Sequence, residues 1–311
     1  MTLFYYDPVF MEHGTGDHPE NPGRLLPTVR HLNFVGLDSM CTRPAWKPAT
    51  EEQICLVHAP AYVASLRSFA EAGGGWLDED TYLCERSYAV ARLAAGAAID
   101  AVQRVVAGED TSAFCLVRPP GHHALADRAM GFCLLNNVAI AARFATSQLG
   151  VQRVMIVDFD AHHGNGTQAI FWEDAQVAYF SMHRASFYPY TGFGSEVGLA
   201  ASKGTTCNIE VSLGTPRTEL LERFQSELTK FSEAVRPELV IISAGFDAHR
   251  DDPLGSLGLL TEDFAVITQT IMDVARRHAG GRVVSVLEGG YNPDALSDCV
   301  AEHLETLLQA E

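Results

Sequence analysis

Short apolar runs suited to buried strands recur along the chain. They are LFYY near the amino end, AFCLV at 113–117, RVMIV at 153–157, VAYFS at 177–181, LVIIS at 239–243 and VVSVL at 283–287. All are too short for helices. Between several of them, apolar residues recur at helical spacing, over 88–107, 136–149, 218–235 and 261–278. A strand that leads through a helix to another strand of the same sheet makes a right-handed crossover, so the strands run parallel and helices cover both faces. The expectation is an α/β fold with a mainly parallel central sheet. At 311 residues and 47% hydrophobic content, with no repeat, low-complexity tract or linker, the chain reads as one domain over 1–311.

Charge narrows the function. Against 39 acidic residues stand 22 basic ones, a net charge of −17, and no Lys/Arg run relieves it. Direct nucleic-acid binding is therefore not expected. MTLFYYDPVF lacks the basic and apolar regions of a signal peptide, and no segment approaches the ~18 apolar residues of a membrane span. The expected setting is the cytoplasm. Seven scattered cysteines with no Cys-x-x-Cys pair read as reduced thiols, most of them small core residues.

The segments after the strands carry the chemistry. They read RPPGHH after 117, DFDAHHGNG after 157, MHRASFYPYTG after 181, AGFDAHRDDP after 243 and EGGY after 287. Sites in open α/β sheets lie outside the carboxyl ends of the strands, so five loops rich in His, Asp and Tyr are expected to meet in one crevice. Any one alone would more often be capping or turn chemistry.

Asp160 and His162 are two positions apart, so in an extended segment both side chains point one way. With Asp247 from another loop they offer one imidazole and two carboxylates to a catalytic divalent cation, leaving room for water. Zinc is the default, with Fe(II) or Co(II) also compatible. Asp-Ala-His recurs at 247–249, which makes His249 a rival ligand on spacing alone and leaves a second metal open.

HPENPGRL (18–25), RPPGHHA (118–124), GFCLLNNVAIAA (131–142), VDFDAHHGNG (157–166), SAGFDAHRDDPLG (243–255) and LEGGY (287–291) together resemble the zinc-dependent histone deacetylases and bacterial acetylpolyamine amidohydrolases, which share an arginase-like α/β fold. RPPGHHA and HHGNG resemble the class II branch. The resemblance implies that Asp160, His162 and Asp247 bind zinc and that His249 does not. It implies that His122 and His123 handle protons, partnered by Asp158 and Asn165, and that Tyr291 polarises the amide carbonyl. Phe132 and Tyr188 would wall the acyl-lysine channel, with Gly131 lining it and Arg24 near its inner end. Asp158 and Ser181, with the backbone carbonyls of Asp160, His162 and Met182, would hold structural potassium. In polyamine-selective eukaryotic relatives an acidic gatekeeper lies seven residues beyond the zinc-binding Asp; Leu254 stands there.

The implied activity is removal of acetyl, or a related acyl group, from an acylated amine. Acetyl-lysine peptides are favoured over acetylpolyamines, and an oligomer is compatible with the sequence. A non-catalytic acyl-lysine scaffold would lack Tyr291 or the tandem histidines, which are present. An arginase-like ureohydrolase would need further metal-bridging carboxylates, and Gly164 and Asn165 stand where one would lie.

Overall fold

Residues that pack on both faces of a sheet must be apolar throughout, and five of the expected strands are buried at every position. The computed structural model describes residues 1–309, so the last two positions of the domain expected over 1–311 lie outside it. The strands are β1 (Thr2–Tyr5), β2 (Gly74–Trp76), β3 (Tyr82–Cys84), β4 (Ser112–Cys115), β5 (Val154–Asp158), β6 (Val177–Arg184), β7 (Thr206–Val211), β8 (Leu239–Ala244) and β9 (Val283–Leu287). The helices are α1 (Leu25–Val35), α2 (Glu51–Ile54), α3 (Pro60–Glu71), α4 (Ser87–Ala107), α5 (Asn137–Gln148), α6 (Asn165–Ile170), α7 (Arg217–Val235), α8 (Thr261–His278) and α9 (Pro293–Leu308).

Seven strands form one sheet in the order β1-β4-β9-β8-β5-β6-β7, and every pairing is parallel. Helices α4 and α5 pack together against one side; α9 packs between α1 and α8, with α7 beside α8. This is the α/β architecture that the alternating pattern predicts.

The expected strands shift by at most a few residues. LFYY becomes Thr2–Tyr5, AFCLV becomes Ser112–Cys115, and VAYFS runs on to Arg184. TCNIEV escapes the apolar criterion because β7 is an edge strand, whose burial is interrupted at Cys207 and Glu210. The β2–β3 hairpin, α1, α3 and α9 were likewise not expected. Helix α9 begins with Pro293 after Asn292, whose side chain accepts from the N–H groups of Asp294 and Ala295.

All seven cysteines are free, but only Cys115, Cys133 and Cys299 are buried. That corrects the expectation that most belong to the core. Among the described residues, no helix is long and apolar enough to cross a membrane.

Candidate active site

The five polar segments follow β4, β9, β8, β5 and β6, which are five consecutive strands of the sheet. Adjacency in the sheet, not in the sequence, brings them together. At the end of β5, Asp158 lies in register with Ser181 on β6 and Ser243 on β8, so the change from apolar core to polar site falls at the same level on three strands.

Asp160, His162 and Asp247 meet just beyond that level, with one ligand-capable atom from each within 4.8 Å of the others. His162 Nδ1 lies 3.1 Å from Asp160 Oδ1 and 2.8 Å from Asp247 Oδ2. Backbone groups orient the carboxylates: Ala161 N–H donates to Asp247 Oδ1, and Gly289 N–H to Asp160 Oδ2. A Cβ on Gly245 or Gly289 would collide with the Asp160 carboxylate, so glycine permits the close approach at both places.

Among the described residues, no Lys or Arg pairs with either buried carboxylate. Two such charges side by side are unfavourable without a cation between them. Burial alone would lower the His162 pKa, yet the Asp247 and Asp160 carboxylates push it up. Burial and Asp160 push Asp247 up. The mixed nitrogen and oxygen donors, their convergence and the absence of a Lys or Arg partner among the described residues fit a small divalent cation. His249 stands apart. Its Nδ1 accepts from Asp251 N–H at 3.2 Å, and its Nε2 lies 3.5 Å from Thr261 Oγ1.

The tandem histidines differ in their partners. His122 Nδ1 lies 3.1 Å from Asp158 Oδ2; His123 Nδ1 lies 2.8 Å from Asn165 Oδ1. Burial works against charge on both. For His122 the Asp160 and Asp158 carboxylates prevail and push its pKa up to about 10. For His123, burial and the neighbouring His122 and His162 hold the imidazole well below its ordinary value. The partners thus push the two rings in opposite directions.

Tyr291 follows Gly290, which adopts φ +123°, a conformation open to glycine. Arg24 lies over the Tyr291 ring at 4.7 Å, and donates to the carbonyls of Gly290 at 2.6 Å and Glu288 at 2.7 Å. Burial pushes the phenol well above its ordinary pKa, which keeps its O–H available as a donor at neutral pH.

A cavity of about 180 Å³ is lined by His123, His162, Tyr291, Gly131, Phe132, Phe187, Tyr188, Leu254 and Asp80. Phe132 sits at φ +69°, rare for an aromatic residue, with its N–H held by Thr81 Oγ1 at 3.2 Å. Its ring meets Tyr291 edge-on at 5.7 Å, and Tyr188 meets His123 edge-on at 5.2 Å. Asp158, Ser181 and Met182 are buried and do not line the cavity, Ser181 Oγ lying 2.9 Å from His183 Nδ1.

Several participants were not singled out from sequence. Buried Glu288 accepts from the N–H groups of Gly121 and His122, fixing the histidine loop. Buried Glu20 pairs with Arg24, Arg118 and His13, and so anchors the arginine beneath Tyr291. Phe187 stacks on His162 at 5.2 Å, and Asp80 reaches the cavity. HPENPGRL and LEGGY contain the two glutamates, but Glu20 reaches Arg118 98 positions away and Glu288 reaches Gly121 167 positions away.

The sequence profile described as histone deacetylase domain matches residues 18–307, and the chain belongs to that family. It is 35% identical to the histone deacetylase-like amidohydrolase of Pseudomonas aeruginosa, over 98% of this chain and 86% of that protein. A probable deacetylase of Methanothermobacter thermautotrophicus is 40% identical over 94% and 87% of the respective chains. The crystal structure of the HDA15 HD domain has a TM-score of 0.92 at 35% identity, covering 99% of this chain and 88% of that one. The fold and these relationships support deacetylase or amidohydrolase chemistry.

Proposed function

We propose that the protein hydrolyses the amide of an acylated amine, with N-acetyl-lysine in an unstructured peptide or protein segment as the favoured substrate. The observation that carries this reading is the shared cavity: His123, His162 and Tyr291 line one narrow space walled by Phe132 and Tyr188. An acetyl group on an unbranched alkyl amine suits such a space, its methylenes lying between aromatic faces and its amide at the polar end.

Asp160, His162 and Asp247 would hold a divalent cation, zinc being the default for this donor set. That cation would supply Lewis-acid polarisation of the carbonyl and of water. Neutral His123 is suited to take a proton from the attacking water and return it to the departing amine. The Tyr291 hydroxyl would donate to the carbonyl oxygen as negative charge develops. His122, whose pKa the Asp160 and Asp158 carboxylates push up, would add positive charge beside the reacting amide. Asp158 and Ser181, with the carbonyls of Asp160, His162 and Met182, are proposed as a structural potassium shell because oxygen donors suit a hard cation.

Asp80 at the cavity favours a second reading, an acetylpolyamine whose distant ammonium approaches that carboxylate. Steady-state kinetics on acetyl-lysine peptides, acetylated polyamines and longer acyl-lysines separates the two. The favoured reading expects the highest kcat/KM on an acetyl-lysine peptide. A large preference for the acetylpolyamine would replace it, and no turnover of any acylated amine by metal-loaded protein would remove both.

A further inference from the structure

Asp252 is buried, yet no cationic side chain is paired with it among the described residues. Four backbone N–H groups take the place of one. Its Oδ1 accepts from Leu254 at 2.9 Å and Gly255 at 3.0 Å, while its Oδ2 accepts from Tyr291 at 2.6 Å and Asn292 at 3.3 Å. One oxygen therefore holds the loop after β8 and the other the turn after β9. Leu254 and Tyr291, one from each loop, both line the cavity.

We infer that Asp252 is a positioning residue: its carboxylate fixes the Tyr291 phenol against the Leu254 wall and so sets the geometry of the oxyanion donor. This rests on the reading of Tyr291 as that donor. Tyr291 is gripped on its other side through Gly290, whose carbonyl accepts from Arg24. Gly290 itself has φ +123°, so without a second hold the turn can relax about a freely rotating residue. Asp252 supplies that hold at the next N–H. A carboxylate is required because it accepts from both sides at once. An amide has a single oxygen, and whichever way it turns, its NH2 faces one pair of donors.

The test is a double-mutant cycle on metal-loaded full-length protein with an acetyl-lysine peptide: wild type, Asp252→Asn, Tyr291→Phe and the double variant. Asp252→Asn is expected to lower kcat about 30-fold, with KM changed by less than about 3-fold and bound metal unchanged. In the Tyr291→Phe background the same change should cost less than about 3-fold, because the phenol it positions is gone. An equal factor in both backgrounds, or loss of metal in Asp252→Asn, overturns the inference. If Asp252→Asn fails to fold, Asp252→Glu keeps the charge while displacing it, and the same criterion applies. Tyr291→Phe as active as wild type would instead remove the role of the phenol, a result read from that variant alone.

Discussion

His123 presents Nδ1 to the amide oxygen of Asn165 at 2.8 Å, so its ring is oriented by a partner that carries no charge. The acid limb of the kcat/KM profile should therefore move to higher pH in Asn165→Asp. A general base works when neutral, and a new carboxylate would stabilise the imidazolium that burial now disfavours. The variant would lose activity at a pH where wild type still works. A limb that stays in place would remove His123 as the base.

Asp247→Ala should lose both bound metal and activity, because it removes one of three converging donors. His249→Ala should keep the metal, since His249 faces Asp251 and Thr261 instead. Elemental analysis of the purified variants decides this, and the opposite pattern would exchange the ligand assignment.

Tyr291→Phe should reduce kcat by about 10²-fold with little change in KM, since its hydrogen bond strengthens as charge develops on the carbonyl oxygen. The check is full Michaelis–Menten analysis with equal metal content. An increase confined to KM would make the hydroxyl a ground-state contact.

Leu254→Glu should shift kcat/KM toward N-acetylspermidine relative to an acetyl-lysine peptide. It puts a carboxylate on the cavity wall where an apolar side chain now stands. An unchanged ratio would show that Leu254 does not set this preference.

Glu20→Ala should destabilise the fold by about 3 kcal/mol at pH 7, because it strands two buried arginines. Burial opposes charge on Glu20, but Arg118, His13 and Arg24 hold its carboxyl well below the ordinary range. With the folded pKa depressed, this stability is present above the unfolded value of about 4.3 and fades as pH falls toward the folded one. The Tm gap between variant and wild type should accordingly narrow in acid. A gap constant from pH 7 to pH 3 would assign the loss to packing.

The central strands were legible because burial on both faces forces a continuous apolar run, as in LVIIS. The loops were legible because Asp, His and Tyr stand just where those runs stop. Edge strand β7 was not, since Asn208 and Glu210 interrupt its pattern. Sequence spacing alone could not separate His162 from His249, since each ends an Asp-Ala-His triplet; only the turn after Phe246, where His249 N–H donates to the Phe246 carbonyl, carries the second histidine elsewhere. Glu288 was hidden for another reason: the N–H groups it holds lie 167 and 166 positions away.

β9 sits between β4 and β8, although its residues, 283–287, come after both in the chain. During synthesis β5, β6, β7 and β8 can associate, as can β1 and β4, but the two halves have no shared edge until this segment is made. The same insertion delivers Gly289 to Asp160 and brings in Tyr291. A growing chain therefore carries Asp160, His162 and Asp247 before it can finish the pocket around them, and a complete candidate site arrives as a late event of translation.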